Sequence, residues 1–289
     1  MQILLHFPYM QNAYLAGTLV AITAGIIGYF MVLRSQSFAG HSLANVGFAG
    51  ATGAVLLSIP AVFGLFFAGL CAAAGIQVLN QAERRGQQSD IAVGAVLTAS
   101  LALGYLFLYL ATAEYAANVY NVLFGSVLGI SQTDVTIILW STLVLLGVLL
   151  VIARPLVFAS LDPEVAAAQG VPVRALSFGY LVLLALDVAV AVQIVGVLLI
   201  FALLVTPAAI AQDVTSRPGT AVALAVVLAL CFTWLGLAVG FFTPYPVGFF
   251  ITTFAFGTYA LVRGGRWLFG FLGHRHRPWE PFRDLRGTV

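Results

Sequence analysis

Lysine is absent from this 289-residue chain, and charge of either sign is scarce. Twelve basic residues, all arginine, and ten acidic ones together make up 8% of the sequence, where soluble globular domains carry about a quarter. With 62% hydrophobic residues, such a chain is excluded from the water-soluble class and is read as an integral membrane protein. The formal charge of +2 leaves neither a polybasic surface nor an acidic tail, so no nucleic-acid partner is expected. The only cysteines, Cys71 and Cys231, sit in apolar runs without CxxC or Cys/His spacing. That excludes a disulfide framework and a thiolate metal site, and both are read as packing residues. Paired acids, HExxH and nucleophile motifs are lacking as well, so the chain is expected not to be an enzyme. Its first residues have no basic stretch of the kind that opens a secretory signal, and the first apolar run is read as a retained helix.

What is present is a succession of apolar runs. Punctuated by charges and turn residues, they give candidate spans near 13–33, 41–58, 61–80, 91–112, 134–153, 175–192, 195–211, 219–241 and 247–263, each near the ~20 residues that a bilayer requires. The expectation is an all-α polytopic membrane protein with eight or nine transmembrane helices. The second run and the Gly-containing stretch 117–130 leave the count open, the latter as a re-entrant or surface helix. Arginine marks the cytoplasmic side: Arg84 and Arg85, Arg154 and Arg174, Arg217, and the group from Arg263 onward all fall inside if the spans alternate, and Arg34 then places the N-terminus outside for nine crossings. Residues 1–263 form one transmembrane domain in this reading. Residues 264–289 form a basic amphiphilic cytoplasmic tail suited to the surface of the lipid bilayer.

Between Arg154 and Arg174 the punctuation describes a short helix at about 162–170. Asp162 suits the N-cap, Pro163 the first helical position, Glu164 the positive end of the helix dipole and Gly170 the C-terminal stop. A helix of about seven residues is about 10 Å long, too short to cross a membrane, and must lie on the cytoplasmic surface. It is either an ordinary loop helix or a docking knob for a soluble partner.

The stretch Leu161-Asp-Pro-Glu-Val-Ala-Ala-Ala-Gln-Gly-Val-Pro-Val173 resembles the coupling-helix region in membrane subunits of ABC importers for zinc, manganese and ferrous iron, the ABC transporter family 3 permeases. Met31-Val-Leu-Arg-Ser-Gln-Ser-Phe-Ala-Gly40, Ser89-Asp-Ile-Ala-Val-Gly94, Leu123-Phe-Gly-Ser-Val-Leu-Gly-Ile130, Val192-Gln-Ile-Val-Gly-Val-Leu-Leu199, Leu204-Val-Thr-Pro-Ala-Ala-Ile-Ala211 and Tyr245-Pro-Val-Gly248 are similar to other family segments in the same order. The resemblance implies the ABC importer transmembrane fold and a homodimer in the bacterial cytoplasmic membrane. It further implies a cytoplasmic ABC ATPase gripping Asp162, Pro163, Glu164, Ala167 and Gly170, and an extracytoplasmic solute-binding protein. ATP would be bound by the partner, since this chain has no GxxxxGK[ST] loop, and no cofactor would be held permanently. The cargo implied is a divalent transition metal ion.

In that family the second helix opens with Gly-Asp-x-Leu-x-His, whose Asp and His contact the metal; here the stretch is Gly40-His41-Ser42-Leu43-Ala44-Asn45. Residues four apart share a helix face, so His41 and Asn45 can point an imidazole nitrogen and an amide oxygen at one place. Imidazole suits zinc and other transition metals, whereas a neutral amide oxygen is a weaker ligand. The missing carboxylate keeps a metal chelate or another small solute open as cargo. Asp187 stands about two turns below an outer turn near 193–196, where a carboxylate costs a few kcal/mol. It completes the candidate metal set His41, Asn45 and Asp187, or is a structural acid hydrogen-bonded to Gln193, Thr206 or another helix, or is the coupling site of an ion-driven secondary transporter. Gly47 and Gly50 permit close helix approach or a narrow path. Pro207 frees a carbonyl one turn earlier and is read as a kink, a gate or a tolerated proline.

Overall fold

The computed structural model describes residues 7–82, 89–110, 124–125 and 129–274. They form α1 (Pro8–Leu33), α2 (Ser37–Leu56), α3 (Ala61–Ala82), α4 (Ser89–Leu110), α5 (Gln132–Leu161), α6 (Pro163–Ala168), α7 (Val173–Val195), α8 (Val197–Val214), α9 (Pro218–Phe242) and α10 (Val247–His274). Seven are both long and apolar enough to cross a membrane. The other two of membrane dimensions are α2, diluted by glycine and polar side chains, and α8, whose 18 residues extend about 27 Å against a hydrocarbon core of ~30 Å.

Contacts at the helix ends fix the direction of each. Arg34, at the end of α1, reaches Ser160 late in α5 and Ser177 early in α7. Gln212 late in α8 donates to the Tyr29 carbonyl, and Asp213 pairs with Arg263 late in α10. At the opposite side, Asn12 donates to the Ile130 carbonyl before α5, and Gly240 late in α9 faces Val247 at the start of α10. Ser42 early in α2 donates to the Val93 carbonyl early in α4, and Gly53 faces Phe107 further along both. Nine helices thus alternate in direction, with the arginines of the described residues toward one side.

Hydrophobicity cannot drive one helix against another in lipid, so backbone proximity and packing must do so. A Cβ on Gly50 of α2 would meet the Gly64 carbonyl and Ala68 of α3, and one on Gly64 would meet the Gly50 carbonyl and Ala54. Gly28 of α1 likewise lies against the Leu204 carbonyl of α8. The best-buried helices are α1, α2 and α7, whereas α4 and the outer faces of α5 and α10 expose large apolar residues: Tyr109 is 86% exposed, Val151 80% and Leu261 78%. Cys71 and Cys231 lie on the exposed surface of α3 and α9, not in packed positions as expected. On an outward helix face lipid supplies the apolar surroundings, and an apolar run alone does not separate the two environments.

Two helices run longer than expected. The fifth span continues through Pro155 to Leu161, because a proline within a long helix removes only one ladder bond, that to the Val151 carbonyl. Its 30 residues extend about 45 Å, some 15 Å more than the hydrocarbon core, and carry the chain clear of the membrane before α6. The last span continues past 263 to His274. Most of the stretch 117–130, Glu83 to Arg85, and the tail from 275 lie outside the described residues.

Candidate functional site

The inner side of the molecule ends in the six-residue helix α6. Asp162 caps it, its Oδ1 accepting the Val165 N–H at 3.0 Å, with Pro163 at the first position and Glu164 in the first turn. Gly170, at φ +84°, provides the left-handed residue that stops it. The N–H groups of Gly170 and Val171 return to the Ala167 and Ala166 carbonyls at 3.0 Å each, the paired bonds of a Schellman end. Ala166 is fully buried against Ala159 and Leu176, which fastens the knob to α5 and α7. Pro163, Glu164, Ala167 and Gly170 are exposed and available to a partner.

In the first turns of α2, near the inner side, the helix brings His41 and Asn45 together. His41 is exposed and Asn45 half-buried. The Asn45 Nδ2 donates to the His41 carbonyl at 2.9 Å and stands 3.3 Å from Nε2 of the same histidine. Because that nitrogen must donate to the carbonyl, the amide turns its N–H side, not its oxygen, toward the imidazole. The His41 ring is held edge-on against Phe201 of α8, centroids 5.0 Å apart. Chemically the pair offers one imidazole lone pair, now facing an amide N–H, and one amide oxygen. A cation would engage both once the Asn45 side chain rotates.

Asp187 is elsewhere on α7. It is 1% exposed and faces α1, where the Thr23 side chain meets its carboxyl group; its Oδ2 has no hydrogen-bond partner. No hydrogen bond joins it to His41 or Asn45 among the described residues. Gln193 bonds within its own helix, Nε2 to the Ala189 carbonyl at 3.3 Å, and does not satisfy the acid. Gly47 lies against Leu65 and Val192, and Gly50 against Gly64, so both serve close packing of α2 with α3 and α7. Pro207 is buried in α8 without ending it. Asp213 pairs with two arginines of α10: Arg263 lies 3.2 Å and Arg266 3.8 Å from its carboxylate.

Sequence reasoning missed three participants. Phe201 and Thr23 gave no polar or spacing signal, being an aromatic and a hydroxyl inside apolar runs. The third is the setting of Arg34. Its guanidinium donates to Ser160 at 3.1 Å and Ser177 at 2.6 Å and lies over the Tyr180 ring, 5.6 Å from its centroid. Partners more than a hundred positions away leave no local signature.

Nine alternating membrane helices with a capped knob beyond the inner surface and no water-soluble domain among the described residues define a polytopic membrane protein. Residues 6–263 match the ABC 3 transport family, and the chain belongs to that family, as a multi-pass protein of the cytoplasmic membrane. The chain is 33% identical over 214 residues to the manganese transport system membrane protein MntC of Halalkalibacterium halodurans, covering 74% of this chain and 72% of that one. It is 30% identical over 236 residues to the chelated iron transport system membrane protein YfeD of Yersinia pestis, covering 81% and 78%. Among solved structures, PsaBC from Streptococcus pneumoniae in complex with Fab matches with a TM-score of 0.79 at 28% identity, over 90% of this chain and 92% of that one.

Proposed function

We propose that this chain is the permease subunit of an ABC importer that carries a divalent transition metal, manganese, iron or zinc, into the cytoplasm. It works as a homodimer, with cytoplasmic ATPases docked on the exposed face of α6 and a solute-binding protein delivering cargo on the outer side. The observation that carries this reading is the capped, stopped and anchored α6 knob on a family permease. A chain without a nucleotide-binding loop needs a device through which hydrolysis elsewhere reaches it, and α6 has that form. The names of its manganese and iron relatives support the cargo class.

His41 and Asn45 are the proposed cargo contacts on α2, and Asp187 the proposed source of negative charge, available through its unpartnered oxygen when α1 and α7 shift. His41 supplies the imidazole that transition metals prefer. An exposed imidazole on a membrane helix calls for water or a second protein over it, and the twofold partner or the path between protomers supplies either. Purification together with the cognate ATPase, followed by uptake of manganese, ferrous iron and zinc into proteoliposomes, tests the reading. ATP-dependent accumulation of one of them is expected, and uptake without ATP would instead establish an ion-driven carrier using Asp187.

A second reading keeps the ABC machinery and changes the cargo to a metal chelate. The observation favouring it is the absence of a carboxylate at position 41, since a chelated cation brings its own anionic ligands. Competition between the free and chelated forms in the same assay separates the two.

A further inference from the structure

We infer that Arg34 is a coupling residue, the link by which movement of the α6 knob is passed to the helices that carry the proposed cargo contacts. This rests on the ABC permease reading and adds to it the route inside this chain.

The geometry that supports it is specific. The knob is entered from α5 and left through α7, and Arg34 holds both. One amino group donates to Ser160, two residues before the Asp162 cap, and the other to Ser177, early in α7. The flat side chain lies over Tyr180 one turn further on, and the Tyr180 hydroxyl donates to the Ile27 carbonyl of α1 at 2.7 Å. A single side chain therefore spans both legs of the knob and returns to its own helix.

The backbone that carries Arg34 is fixed as firmly. Arg34 is the C-cap of α1, and Ser35 adopts φ +54°. The Ser35 N–H reaches the Val32 carbonyl at 3.0 Å and the Gln36 N–H reaches the Met31 carbonyl at 2.9 Å, a Schellman end built on serine where glycine is usual. α2 starts at Ser37 and its first turns carry His41. A shift of the knob that pulls on Ser160 and Ser177 is thus delivered to a rigid turn seven residues from His41.

No carboxylate hydrogen-bonds or pairs with Arg34 among the described residues. Its Nε is buried without a partner, and its bonds go to neutral hydroxyls. An arginine kept for charge neutralisation would face an acid. One kept for planar, two-pronged geometry needs two acceptors set apart, as here, and lysine cannot replace that fork.

The test uses the complete complex with its ATPase and binding protein in proteoliposomes, with manganese, ferrous iron and zinc as probes, supplied as salts and as chelates. Arg34→Gln and Arg34→Lys are compared with the double substitution Ser160→Ala/Ser177→Ala, which leaves the arginine in place and guards against a folding defect. ATPase co-purification and basal hydrolysis are expected to be retained in all three, while metal moved per ATP hydrolysed falls ~tenfold, within the usual range of coupling between sites. An unchanged ratio of uptake to hydrolysis overturns the inference. So does a parallel loss of ATPase binding, hydrolysis and uptake in all three variants, which marks Arg34 as a structural clamp. A wild-type complex that accumulates none of the three metals, whether supplied as salts or as chelates, refutes the permease reading itself, a result distinct from either.

Discussion

The buried interior of α1, α7 and most of α2 and the two exposed polar places, the face of α2 at His41 and the α6 knob, are built on opposite terms. In the interior, backbones meet at glycines, and Asp187 is shut away with Thr23 for company and one oxygen unpaired. On the exposed places the polar groups are self-satisfied: Asn45 bonds to its own helix, and Asp162 caps the helix that it begins. On the proposed reading, the difference separates what holds the protomer together from what meets cargo and partners, with Asp187 the one interior group assigned to both. Interior changes other than at Asp187 should therefore show in stability, and exposed changes in transport with the fold intact.

Gly28→Leu is expected to do most damage, since a side chain there meets the Leu204 backbone carbonyl rather than a flexible chain end. Overpacking of this kind costs ~1–3 kcal/mol or more, and thermal unfolding in detergent should show a clear loss of folded protein. Gly179→Leu, at a position where a Cβ meets open space, is the control; equal damage from both would break the distinction. Asp187→Asn comes next. It keeps the shape and a hydrogen-bonding group beside Thr23 while removing the charge, so a stability change of about 1 kcal/mol is expected, together with reduced uptake at limiting metal. Full uptake would remove Asp187 from the cargo path.

Asp162→Ala removes a cap worth ~1 kcal/mol from a helix of only six residues. Global melting should hardly move, but co-purification of the ATPase should drop, and retention of the wild-type level would show that the partner does not rely on an ordered α6. Asp213→Ala should be smallest. It breaks a solvent-exposed pair with Arg263 and Arg266, a class worth ~0–1 kcal/mol, and neither melting nor uptake should change measurably.

How much of this was legible in the sequence follows from the range of each interaction. The membrane spans, their alternation and α6 were readable because apolar runs, arginines, an Asp-Pro cap and a glycine stop are local signals. The pairing of His41 with Asn45 was readable for the same reason, being one helical turn. The far end of α5 was not, because Pro155 reads as a boundary when its only structural consequence is one missing ladder bond. Nor could the sequence tell an exposed cysteine from a packed one. Asp187 was conspicuous as an acid in an apolar run, but the side of α7 on which it lies, toward Thr23 of α1, depends on how the helices rotate against one another. Arg34 read only as an orientation marker, since Ser160 and Ser177 lie 126 and 143 residues distant.

The central claim is that the exposed α2 face handles a metal while the interior holds the fold. It is tested most directly by ATP-driven uptake of radiolabelled manganese, iron and zinc into proteoliposomes containing the wild-type complex or the His41→Ala/Asn45→Ala variant. Loss of two contacts to a metal is expected to lower uptake by about 10–100-fold, with melting temperature, ATPase binding and basal hydrolysis preserved. Undiminished uptake by the variant would contradict the account.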